Sequence, residues 1–142
     1  MNNKIIVAQK NHFHEITKFL YSLNQEVIDS LEKKINFYIK RMGVFILQKP
    51  GKKGDKIMGI GLTQVLKWFQ YHENIVWIED IFLKGEDSEE EKKHGELLLD
   101  HIKKRYMSLH PGIKLFIGNI KGTKTKTSLL KGLKSLGVFM TS

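Results

Sequence analysis

The segment that most restricts the fold is residues 75–83, IVWIEDIFL, with the amphipathic run behind it and a second apolar run at residues 114–120, KLFIGNI. Short apolar runs bounded by turn signals read as buried strands. Between them, Ser88 with Glu91 three residues on has the pattern of a capping box, opening a helix through KKHGELLLDHIKKRYM. Leu98, Leu99, Ile102 and Tyr106 give that helix an inward stripe, and Lys103, Lys104 and Arg105 suit the negative end of its dipole. Pro111 and Gly112 end the connection. A strand, a crossing helix and a returning strand call for parallel pairing, which places this unit in a mixed sheet covered by helices.

The rest of the chain supplies antiparallel neighbours. Residues 5–8 read as a first strand. Ile16, Phe19, Leu20 and Leu23 then recur at helical spacing behind Asn11, a potential cap. Val27, Leu31, Ile35, Tyr38 and Met42 form a second helical set that ends at Gly43, where a left-handed terminator is expected. Residues 44–48 are a short apolar strand closed by the turn KPGKKGD, and residues 57–69 return as a longer one in which Gly59 and Gly61 mark a bulge or close packing. Tyr71, His72, Glu73 and Asn74 form the next turn. Leu129, Leu130, Leu133 and Leu136 make a last helix stopped by Gly137, before a closing strand at residues 138–140. The order is β, α, α, β, β, β, α, β, α, β, a mixed α/β or α+β sheet flanked by helices.

With 142 residues and two prolines the chain builds one core, so residues 1–142 are read as a single domain. The absence of cysteine excludes disulfides, thiolate-bound metals and thiol nucleophiles. No apolar run reaches the roughly 18 residues of a membrane span. The amino terminus has no signal-peptide pattern. The expectation is a soluble cytoplasmic protein without membrane contact. The formal charge is +9, unevenly divided: five acids fall between Glu86 and Glu91, whereas residues 101–142 hold nine Lys or Arg and no acid. That basic third reads either as a solvated surface or as an attractor of polyanions, so nucleic acid stands among the partners.

Several motifs point to weaker chemistry. His94 and His101 are seven apart on one helix and His12 and His14 two apart, spacings that make no zinc pair, so no metal is expected. KGTKTKT at residues 121–127 lacks the glycines and spacing of a nucleotide-binding loop, and reads as an exposed loop or a phosphate contact. Trp68, Phe69 and Tyr71 beside Lys67 read as base-stacking groups, as packing, or as a homodimer contact.

The succession IVWIEDIFL, EEEKKHGELLLDHI, KLFIGNI and LLKGLKSLGVFM resembles the GNAT superfamily of acyl-coenzyme A dependent N-acyltransferases over almost the full chain. The resemblance implies acetyl-coenzyme A as cofactor, a primary amine on a small molecule, peptide or aminoacyl group as acceptor, and acetyl transfer by direct attack. It implies Glu79 as general base, with Asp80 as runner-up because adjacent strand residues face opposite ways. It also implies that Ile81, Phe82 and Leu83 pair with the pantetheine arm in a splay between the fourth and fifth strands. Lys92, Lys93, His94, Gly95 and Glu96 would border the pyrophosphate, and Asn119 falls on the family's asparagine. The chain departs from the family pattern: one register puts Glu90 on the Arg or Gln, Lys93 on the first glycine of the phosphate loop and Gly95 on the second, and another puts Lys92 on the Arg, Gly95 on the first glycine and Leu97 on the second. Neither satisfies the motif, and Leu133 stands where a closing tyrosine is common. Tyr106, Tyr71, His72 and Ser128 are the remaining candidates for the leaving-group acid. A noncatalytic domain of the same fold, gripping nucleic acid or protein, is the competing reading.

Overall fold

The computed structural model describes residues 3–23, 29–68, 73–122 and 138–140. The expected last helix, Tyr71 and His72 of the expected turn, and Ser128 lie outside the described residues, whereas Glu73 and Asn74 of that turn stand in the fourth strand, paired with Trp68 and Lys67. The elements are β1 (Lys4–Val7), a 3-10 turn (Lys10–His12), α1 (Phe13–Ser22), α2 (Asp29–Lys40), β2 (Val44–Lys49), β3 (Lys56–Trp68), β4 (Glu73–Leu83), α3 (Ser88–Leu109), β5 (Lys114–Gly122) and β6 (Val138–Met140). They form one six-stranded sheet in sequential order, β1 to β6. The first four strands pair antiparallel, and β4–β5 and β5–β6 pair parallel. This is the mixed, helix-flanked sheet that the strand–helix–strand unit demands.

Two apolar layers hold the sheet. On one face Leu98, Leu99, Ile102 and Tyr106 of α3 pack on Phe45, Leu47, Val76, Ile78, Ile81 and Leu83. On the other, Ile16, Phe19 and Leu20 of α1 with Ile35, Tyr38 and Ile39 of α2 pack on Val44, Ile46, Ile60, Leu62 and Phe82. At Gly59 and Gly61 α3 packs close on the sheet: a Cβ on Gly61 would lie 3.0 Å from Ile102 Cδ1, and one on Gly59 3.3 Å from Leu83 Cδ2 and 3.5 Å from Leu98 Cδ2. Close packing is thus the reason for both. The strand irregularity falls beside them, at Met58, which the β2–β3 register skips.

Three sequence expectations change. The residue with positive φ after α2 is Met42, at 56°, not Gly43. Gly43 answers a different need, because a Cβ there would lie 2.0 Å from the carbonyl oxygen of Thr63. The two backbones are tied at that point: Thr63 donates to the Gly43 carbonyl from its N–H at 2.7 Å and from its hydroxyl at 2.8 Å. The cap of α3 is Asp87, whose side chain accepts from Glu90 N at 2.8 Å, so the Ser88–Glu91 box does not form and the helix begins at Ser88 itself. At α1, His12 precedes the helix without a side-chain cap, and Asn11 lies inside the 3-10 turn. Among the described residues no helix is long and apolar enough to cross a membrane.

Candidate functional site

The centre of β4 carries the chemistry. Along β3 the register runs Leu62 to Asp80 and then Thr63 to Ile78, and along β5 it runs Asp80 to Asn119 after Ile78 to Ile117. Glu79 is the extra residue against β3, which defines a β-bulge there, while β4 and β5 advance by two residues each and stay in step. Strict alternation would send Glu79 and Asp80 to opposite faces. The extra residue resets the alternation, so Val76 and Ile78 before it and Ile81 and Leu83 after it all enter the α3 layer. Both carboxylates turn toward α2, where one ammonium reaches both: Lys34 Nζ stands 3.1 Å from Glu79 Oε1 and 3.5 Å from Asp80 Oδ2. The expectation that only one of the pair lines this face is therefore corrected, and the bulge is the reason.

The surroundings are asymmetric. Asp80 is 1% exposed, whereas Glu79 is half-buried and also accepts a hydrogen bond from the indole N–H of Trp77. Trp77 is half-buried, serving this carboxylate rather than the core. Tyr38, one helical turn after Lys34, is buried in the same cluster and its hydroxyl accepts from the Gln64 amide at 3.1 Å. Burial, and then the negative charge of Glu79 and Asp80, push the Tyr38 hydroxyl up to about 12. Burial pulls the Lys34 ammonium down, but its hydrogen bond to Glu79 and the charges of Asp80 and Glu79 outweigh this and hold it above its ordinary value. Among the described residues, Lys34 is the ammonium that both carboxylates share. The cluster is suited to gripping a cation and to taking a proton at Glu79, the more exposed carboxylate.

Lys34, Tyr38 and Gln64 are the participants that sequence reasoning missed. Tyr38 and Lys34 stand four apart on one helix, a spacing visible in the sequence, but Tyr38 reads there only as one member of an apolar stripe. Tyr106 does not join them. It sits in the α3 layer on the other face of the sheet, where its hydroxyl and that of Thr63 are 2.7 Å apart.

The other predicted residues lie at the β4–α3 junction. Ile81, Phe82 and Leu83 are buried, and β5 stays in register beside them, Ile81 with Ile120, Phe82 with Lys121 and Leu83 with Gly122. The strands run together where a splay is expected. Lys92, Lys93, His94, Gly95 and Glu96 all lie within α3, beyond its first turn. Their N–H groups therefore fall inside the helical ladder, not among the unsatisfied groups at its start. His94 is 4% exposed and its Nδ1 is 2.6 Å from the carbonyl oxygen of Lys84, which pins the preceding loop. Gly95 is buried, Lys93 is exposed, and Lys92 and Glu96 face each other at 3.9 Å. Asn119 lies in β5 opposite Asp80. The helix start itself carries Asp87, Glu89, Glu90 and Glu91, with Glu86 just before it. No cluster of three metal-ligating side chains occurs among the described residues.

No protein-family profile and no curated protein matches the chain. Solved structures do. The chain is similar to AAC(6')-Iy in complex with the bisubstrate analogue CoA-S-monomethyl-acetylneamine, with a TM-score of 0.66 at 14% identity over 100% of this chain and 94% of that one. It is similar to a possible acetyltransferase from Clostridium difficile 630, with a TM-score of 0.63 at 16% identity over 100% and 93% of the two chains. A GNAT family acetyltransferase of Staphylococcus aureus gives a TM-score of 0.61 at 14% identity over 89% of each. The chain thus has the fold of the GNAT acyltransferases.

Proposed function

We propose that this chain is an N-acyltransferase of the GNAT type whose acceptor is a primary amine, bound as an ammonium at Glu79 and Asp80. The bulge that turns both carboxylates to one face, where they already hold the ammonium of Lys34, is the observation that carries this reading. Asp80, buried, supplies fixed negative charge. Glu79, half-buried and oriented by Trp77, takes the proton that makes the amine nucleophilic. The Tyr38 hydroxyl keeps its proton at neutral pH and presents a hydrogen-bond donor to the same space.

The donor implied by the fold is acetyl-coenzyme A, expected against Ile81, Phe82, Leu83, residues 92–96 and Asn119. The residues present do not fit its pyrophosphate there. The amides of residues 92–96 are inside the helix, and the helix start is capped by Asp87 and ringed by carboxylates that repel phosphate. No donor step is therefore assigned to these residues. The same observation favours a second reading, a domain of this fold that binds without acyl transfer.

Isothermal titration of the purified chain with acetyl-coenzyme A and with coenzyme A separates the two. Saturable one-site binding, followed by acetylation of a panel of primary amines that Glu79→Gln abolishes, supports the transferase. Absence of binding to folded, cofactor-free protein rejects it in favour of the second reading.

A further inference from the structure

We infer that a groove at the β2–β3 turn, separate from the carboxylate cluster, takes the phosphodiester backbone of a single-stranded nucleic acid. The groove has a volume of about 1520 Å³ and opens between that turn, α1 and the β4–α3 loop. Its walls carry Lys18, Lys49, Lys52, Lys53, Lys56 and Lys84, all exposed. None of these six pairs with a carboxylate among the described residues. A seventh lysine, Lys4, is neutralised by Asp55 at 2.8 Å. The remaining acids on the wall are Glu15, Glu86 and Glu90, so positive charge exceeds negative by three.

The backbone fixes where these charges stand. Residues 51–54 form a tight turn in which Gly54 N donates to the Gly51 carbonyl at 3.2 Å, and Gly54 has a φ of 108° that a residue with a Cβ rarely adopts. Lys52 and Lys53 are the central residues of that turn and are held at its tip. Lys49 and Lys56 pair across the strands just below. Lys18 faces them from α1, and the ammonium of Lys84 is steadied by the Ser22 hydroxyl at 3.5 Å.

A run of compact, unpaired ammoniums along a concave wall is a match for a chain of phosphates. It is a poor match for an acidic protein, whose interface would need apolar or aromatic anchors. Here Phe19 is buried beneath the groove, and Ile6, Ile57 and Met58 are half-buried. Among the described residues of the wall the rings are Phe19, buried, and His12, half-buried, so affinity rests on phosphate contacts, ignores sequence and falls steeply with salt. This site is not the basic last third to which sequence charge points. It comes from lysines of β2, β3, α1 and one loop that only the fold gathers.

The test is fluorescence anisotropy of a labelled oligothymidylate at a series of salt concentrations. The unmodified chain should bind at low salt, and the slope of log affinity against log salt should reflect about 0.7 per phosphate neutralised. Lys52→Glu with Lys53→Glu, and separately Lys18→Glu, should weaken binding about tenfold or more and flatten that slope. Lys33→Glu with Lys40→Glu on α2 makes the same change in net charge away from the groove, and should leave affinity nearly unchanged. All these side chains are exposed and form no ion pair among the described residues, so the fold tolerates the changes. Failure to bind the strand, equal loss in the α2 control, or equally tight binding of polyglutamate overturns the assignment. These outcomes are read without any acyl donor and so are independent of the transferase reading.

Discussion

Lys34, Glu79, Asp80 and Tyr38 act as one electrostatic unit, and their titration is its signature. The folded Tyr38 hydroxyl, pushed up to about 12, and the raised Lys34 ammonium both keep their protons at a pH where the unfolded chain gives them up. Their contribution to stability is complete below the unfolded tyrosine value of 10.0 and is lost as pH rises through the folded one. Unfolding followed by denaturant between pH 9 and about 12 should show stability falling with pH, and Tyr38→Phe should make the fall shallower. Lys34→Met removes the ammonium that Glu79 and Asp80 share and should cost about 1–2 kcal/mol at neutral pH, the half-exposure of Lys34 discounting the full cost of breaking a buried pair. Retention of stability in Lys34→Arg assigns the loss to charge; an equal loss in Lys34→Arg would assign it to packing. Gly43→Ala should destabilise by about 2–3 kcal/mol, since the methyl must displace the Thr63 backbone. Equilibrium unfolding in urea measures it, and a change below 0.5 kcal/mol would contradict the close approach.

The elements were legible to different depths. β4, α3 and β5 were readable because their periodicities are strong and a crossover helix leaves few alternatives. The capping residue was misread because Ser88 and Glu91 have the right spacing, but Asp87 stands one position earlier and its carboxylate reaches Glu90 N. Asp87→Ala should therefore lower stability by about 1 kcal/mol, whereas Ser88→Ala should change it by less than about 0.5 kcal/mol. Thermal melting of both variants checks the assignment, and the reverse ranking would restore the capping box. The bulge at Glu79 was not legible at all. An inserted residue leaves no mark on a single strand, because it exists only relative to the partners it fails to pair with. Glu79 and Asp80 are alternatives only on a regular β4.

At the scale of the molecule, two apolar layers share one sheet, and Phe82 lies in one while its neighbours Ile81 and Leu83 lie in the other. The layers should melt together. Leu98→Ala on the α3 side and Leu20→Ala on the α1 side should each cost about 2–5 kcal/mol and shift one common transition, seen alike by near- and far-ultraviolet circular dichroism. Two separable transitions would show that the faces fold independently.

Local patterns in the chain determined the order of the described elements, the mixed sheet, the two amphipathic faces and the candidacy of Glu79 and Asp80. These depend on periodicity and on residue types near each other in sequence, and such information is local. Only the tertiary structure decided that both carboxylates share a face, that Lys34, Tyr38 and Gln64 surround them, and that the six lysines of the groove stand together. Each depends on register between strands or on contacts between residues far apart in the chain, and those are set by packing the whole sheet against its helices.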